Sequence, residues 1–97
     1  MKPNMHQGND SNEAIGARLA AVRTLAFEQS KRAFAEGAEL SEQSYGPVEN
    51  GKRPLSLEMA KKLHKFYGLS LDFMYFGNMN DLPARIFTVL SSRPSVK

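Results

Sequence analysis

The segment Glu49-Asn50-Gly51-Lys52-Arg53-Pro54-Leu55-Ser56 holds the residues whose types and spacing best suit chemistry. A helix ending on Gly51 would leave two consecutive cations on a bend, and Pro54-Leu55-Ser56 would open the next helix. Lys52 and Arg53 could then present their charges to the phosphate oxygens of a polyanion. A solvated loop that happens to be basic has the same local pattern. Asn50 either meets a phosphate through its amide or simply ends the helix. Lys31 and Arg32 are either further phosphate contacts or ordinary surface cations.

Covalent chemistry finds little support. His6 lies in a polar N-terminal stretch, and His64 has aliphatic neighbours and no carboxylate or nucleophile pattern around it. A satisfied, partly buried imidazole is the expectation for His64. The chain shows no glycine-rich phosphate cradle, no paired catalytic carboxylates and no metal-ligand spacing, so neither catalysis nor a metal or cofactor is expected. With no Cys among 97 residues, disulfides and thiolate metal sites are excluded. A net charge of +3 and a pI near 9.4 permit an anionic partner. No run approaches ~18 apolar residues, so no membrane span is expected. Lys2 precedes polar residues rather than an apolar run, so a cytoplasmic location is expected.

The elements that must position these residues are helical. Ser11 can cap a first helix, in which Ile15, Leu19, Val22 and Ala26 form one apolar stripe flanked by solvated Arg18 and Arg23. Ser30 caps a second helix over residues 30–37, whose Phe34 and Ala35 face inward with Ala38. After a turn through Leu40, Ser41 caps a third, and Tyr45 packs on Phe34 and Val48. Ser56 caps a fourth through Tyr67, ended by Gly68. Ser70 starts a fifth with Leu71, Met74 and Tyr75 inward, stopped by Gly77-Asn78. A last short helix carries Ile86, Phe87 and Leu90. No strand pattern competes, so the fold is an all-α compact bundle of about five short helices plus a short C-terminal helix.

Within this frame, Ile15-Gly16-Ala17-Arg18-Leu19, Phe34-Ala35, Leu40-Ser41, Tyr45, Glu49-Asn50-Gly51-Lys52-Arg53 and Tyr67-Gly68-Leu69-Ser70-Leu71-Asp72 resemble the phage-repressor-like helix-turn-helix family, also called the xenobiotic-response-element type. The resemblance covers roughly residues 13–76, and Tyr75-Phe76-Gly77 with Leu82-Pro83-Ala84-Arg85 looks like a subgroup with a short C-terminal extension. It implies a DNA-binding transcriptional regulator, usually dimeric, whose third helix enters the major groove. On that basis Gln43 and Ser44 are the base-contact candidates, and Lys31, Arg32, Asn50, Lys52 and Arg53 the phosphate-contact candidates. Glu49 can pair with Lys31 or Arg32 and fix the angle between helices. The expected division is an arm over residues 1–10, a helix-turn-helix domain over 11–77, a helical extension over 78–90 and a tail over 91–97. Phe66, Phe73, Phe76, Met79, Phe87 and Val89 supply apolar surface for a homodimer, unless the last helix folds back over it.

Two departures from the family pattern bear on function. The glutamine that the family places at the start of the second helix has no equivalent here. Counting back from Glu49 gives Lys31 and counting forward from Ile15 gives Ser30, so the connection holds about one extra residue. Gly46-Pro47 lies inside the third helix, where proline costs ~3 kcal/mol and glycine up to ~1 more. That helix is expected to stop or kink near Tyr45. A helix-turn-helix scaffold used for protein binding, with weak or no specific DNA binding, is the alternative function.

Overall fold

The computed structural model describes residues 10–91, so all but residue 10 of the arm expected at 1–10 and all but residue 91 of the tail expected at 91–97 lie outside the described residues. Six α-helices follow in order: α1 (Asn12–Ala21), α2 (Lys31–Gly37), α3 (Glu42–Glu49), α4 (Leu57–Tyr67), α5 (Leu71–Phe76) and α6 (Ala84–Ser91). A π-helical segment, Val22–Phe27, continues α1. No strand occurs among the described residues.

Serine chemistry starts five of the six α-helices. Ser11, Ser30, Ser41, Ser56 and Ser70 each hold an extended backbone, and each hydroxyl oxygen accepts from the N–H three residues on. Those bonds are 3.0–3.1 Å long and satisfy donors that a helix start otherwise leaves open. Gly68 ends α4 with a φ of 75°, a conformation that glycine adopts without strain.

The connection after α1 opens on a π turn. The Glu28 N–H reaches back five residues to the Arg23 carbonyl, and Glu28 itself turns left-handed at a φ of 53°. Such a turn is one residue wider than an α-helical one. Val22 and Ala26 stay buried beside Ile15 and Leu19.

Aromatic rings occupy the centre. Phe34 stacks on Tyr67 at 4.3 Å, Phe27 meets Tyr67 at 4.7 Å, and Tyr45 packs on Phe34 at 5.6 Å. The Tyr67 hydroxyl donates to the Phe34 carbonyl at 2.6 Å, fixing α4 to α2. Helix α6 folds back onto the π segment: Leu82, Ile86 and Leu90 are buried, and Arg85 donates to the Ala26 carbonyl at 2.8 Å while covering the Phe27 ring.

Several details depart from the sequence reading. Arg18 is fully buried rather than solvated and donates to the Met74 carbonyl at 3.1 Å, tying α1 to α5. Burial lowers its pKa. In α5 the inward residues are Phe73 and Met74, whereas Leu71 is exposed and Tyr75 half-buried. Tyr75 instead donates to the Leu55 carbonyl at 2.6 Å. Phe87 is exposed on α6. His64 is satisfied by the Leu69 carbonyl at 3.1 Å, but it lies at the surface.

A further correction concerns α3, which does not stop near Tyr45 but continues through Gly46-Pro47 to Glu49. Pro47 sits late in the helix, so only the bond to the Gln43 carbonyl is lost. Proline also crowds the residue before it, and Gly46 lacks the Cβ that would be crowded. Beyond the proline the ladder resumes, with the Asn50 N–H on the Gly46 carbonyl at 3.0 Å and the Lys52 N–H on the Pro47 carbonyl at 2.9 Å.

Candidate nucleic-acid interface

Helix α3 has a buried and an open side. Tyr45, Val48 and Glu49 face the core and Gly46 is buried too, while Glu42, Gln43, Ser44 and Asn50 are exposed and Pro47 is half-buried. Gln43, Gly46, Pro47 and Asn50 follow i, i+3, i+4, i+7 spacing and so share one stripe, and a Cβ at Gly46 would point into open space. Ser44 lies off that stripe and accepts a hydrogen bond from Ser41 at 3.0 Å. Glu42 stands in the first turn, where its charge favours the helix N-terminus.

A polar network holds the buried side. Arg23 grips both oxygens of the Glu49 carboxylate, with Nε at 2.9 Å from Oε1 and Nη2 at 2.8 Å from Oε2. The Tyr45 hydroxyl donates to Oε1 at 2.7 Å, and Arg23 Nη1 donates to the Gln29 carbonyl at 2.8 Å. The Glu49 side chain is 3% exposed and that of Arg23 16%, so the pair is well shielded. The hydrogen bond to Glu49 raises the Arg23 pKa, whereas burial is the main cause of the Tyr45 rise, reinforced by the adjacent carboxylate. Glu49 therefore fixes the helix angle, as expected, but through Arg23 of the π segment rather than through Lys31 or Arg32. Gly16 completes the seat, since a Cβ there would overlap the Glu49 carbonyl and come within 2.9 Å of the Val48 carbonyl oxygen.

Donor chemistry dominates the C-terminal end of α3. Lys31 Nζ donates to Asn50 Oδ1 at 2.7 Å. An ammonium can only donate, so that bond fixes Oδ1 as the acceptor and leaves the NH₂ of exposed Asn50 as a donor. Lys52 and Arg53 are exposed on the following bend, and both backbone N–H groups return to the Pro47 carbonyl, at 2.9 and 3.3 Å. Lys31, Asn50, Lys52 and Arg53 thus gather donors and positive charge at one end of the outward stripe. Arg32 is not part of this group: it pairs with Glu36 at 3.2 Å on the solvated face of α2, where such a pair is worth little.

Sequence reasoning missed Arg23 and Arg18. A signal existed for Arg18, which falls at i+3 from Ile15 on the apolar stripe. Arg23 carries the same signal, at i+4 from Leu19 and i−3 from Ala26, but no local pattern pairs it with Glu49. Among the described residues, no three His, Asp or Glu side chains group as a metal site, and no helix is long and apolar enough to cross a membrane.

An outward helix on a capped bundle, braced from behind and basic at one end, defines a helix-turn-helix domain. The chain matches the helix-turn-helix family over residues 21–74, more than half its length, and belongs to the phage-repressor-like branch of these proteins. That span lies inside the 13–76 resemblance and begins at the π segment's edge. No curated protein and no solved structure matches the chain.

Proposed function

We propose that this protein is a sequence-specific DNA-binding transcriptional regulator that acts by occupying an operator. Helix α3 enters the major groove, Gln43 and Ser44 contact base edges, and Lys31, Asn50, Lys52 and Arg53 hold phosphates. Arg32, committed to Glu36, contributes at most to the general field. The observation that carries this reading is the unbroken α3, outward along its polar stripe and ending in a cluster of donors. An α3 that continues past Gly46-Pro47 weighs against the protein-docking alternative, one motive for which was a helix broken there. Exposed Leu57, Phe66, Leu71, Phe76 and Phe87 support a homodimer built on the C-terminal half. Regulation through DNA implies a cytoplasmic protein.

The test is selection of genomic fragments with the purified protein, followed by titration of an enriched fragment across a salt series. Lys52→Ala/Arg53→Ala is expected to weaken binding and to flatten the log K against log salt slope by roughly 2, the loss of two phosphate contacts. An unchanged slope refutes the assignment of these two cations. Failure to enrich any fragment refutes operator binding.

A further inference from the structure

The centre of the α3 stripe carries Gly46, whose own atoms are buried, and half-buried Pro47, beside open space that no side chain fills. A Cβ at Gly46 would meet no atom within 4 Å beyond its chain neighbours and its own helix backbone, so the space in front of it is open. Pro47 is half-buried, removes a backbone donor, and receives only the loop N–H groups of Lys52 and Arg53 on its carbonyl, which any residue could accept. Gly46 makes Pro47 tolerable, yet the two together weaken α3 without filling a cavity or shaping a turn. Their effect is outward. They create a low apolar step, devoid of side-chain donors and acceptors, between the amides of Gln43 and Asn50.

We propose that this step selects a thymine by its methyl group, making Gly46-Pro47 a specificity determinant of the operator; the inference rests on the DNA-binding reading above. In unmodified DNA the thymine methyl is the one apolar group displayed on the major-groove edge of a base. A guanine, adenine or cytosine edge under the same step would lose water without gaining a partner, which is unfavourable. The missing side chain at Gly46 leaves open space beside the Pro47 ring, and that ring supplies the apolar contact. Gln43, one turn earlier on the same stripe, is placed to pair with a neighbouring adenine.

The experiment starts from the enriched operator and replaces each thymine singly with deoxyuridine, which deletes only the methyl. Wild-type protein is expected to bind one such substitution per half-site about three- to five-fold more weakly, the burial worth of one methyl. Gly46→Ala/Pro47→Gln is expected to keep or raise Tm and to lose that discrimination at the same position. Enriched DNA with no methyl dependence at any thymine overturns this inference alone, as does methyl dependence that persists in the double variant. If no sequence is enriched, the DNA-binding reading falls and this one with it, and the step becomes a protein-docking surface.

Discussion

Removing the Glu49 carboxylate tests whether the buried network holds α3. Glu49→Ala strands the Tyr45 hydroxyl, which is fully buried, and deprives Arg23 of both its carboxylate contacts. An unsatisfied buried hydroxyl costs about 1–3 kcal/mol, and breaking a buried ion pair by removing one partner about 3–5. Arg23 retains the Gln29 carbonyl and some solvent, so the lower figure, about 3 kcal/mol, is expected. For a domain of this size that corresponds to a Tm loss of roughly 12–24 °C. Tyr45→Phe alone should cost about 1 kcal/mol. In the double variant no hydroxyl is left stranded, so the costs should fall short of additivity by about 1 kcal/mol. Urea titrations of the four proteins, at low and high salt, measure this coupling. Salt should change it little, because the pair is shielded from mobile ions. If the two costs add within about 0.5 kcal/mol, Tyr45, Glu49 and Arg23 do not act as a unit and the bracing of α3 lies elsewhere.

Two further outcomes follow from the packing and the buried phenols. Gly16→Ala should destabilise by about 2 kcal/mol or more, since its methyl group meets the Glu49 and Val48 carbonyls of α3 rather than a movable side chain; thermal melts showing less than about 0.5 kcal/mol would contradict that close crossing. Burial raises the pKa of Tyr45, Tyr67 and Tyr75, so the unfolded chain ionises first, near pH 10. Stability should then be level below pH 10 and fall above it, by about 1.4 kcal/mol at pH 11 for each phenol that remains protonated in the fold. Tyr45→Phe should flatten this alkaline decline, and urea midpoints at pH 8, 10 and 11 provide the check.

The architecture was legible because it rests on local chemistry. Five serines at helix starts and glycines past helix ends punctuate the chain, and a 3.6-residue apolar period runs between them. The outward placement of Gln43 followed from the family resemblance, and that of Lys52 and Arg53 from a glycine bend before a capped helix. What escaped was register and long-range polar pairing. One residue added before Ser30 announced itself only as a counting mismatch. Arg23 pairs with Glu49 and Lys31 with Asn50, contacts that no local pattern specifies. Arg18 was misplaced because a cation on an apolar stripe reads as an error until a distant carbonyl, that of Met74, appears to receive it. Pro47 misled because its penalty is local, whereas the restraints that hold α3 together come from both of its ends and from its back.

Those restraints separate stability from recognition within one eight-residue helix. Ser41 caps its start, Tyr45 and Glu49 lock its rear, and the Lys52 and Arg53 amides close its end on the Pro47 carbonyl. None of these contacts uses the outward side chain of Gln43. A weak helix can be held this way because its conformation is imposed by neighbours rather than by its own propensity. The consequence is an asymmetry between the two sides. Substitutions at Arg23, Tyr45 or Glu49 should lower Tm and weaken binding to every sequence alike, since they move the whole helix. On the operator-binding proposal, substitutions at Gln43 should leave Tm in place and change which sequence is bound, since they alter only the outward side of α3.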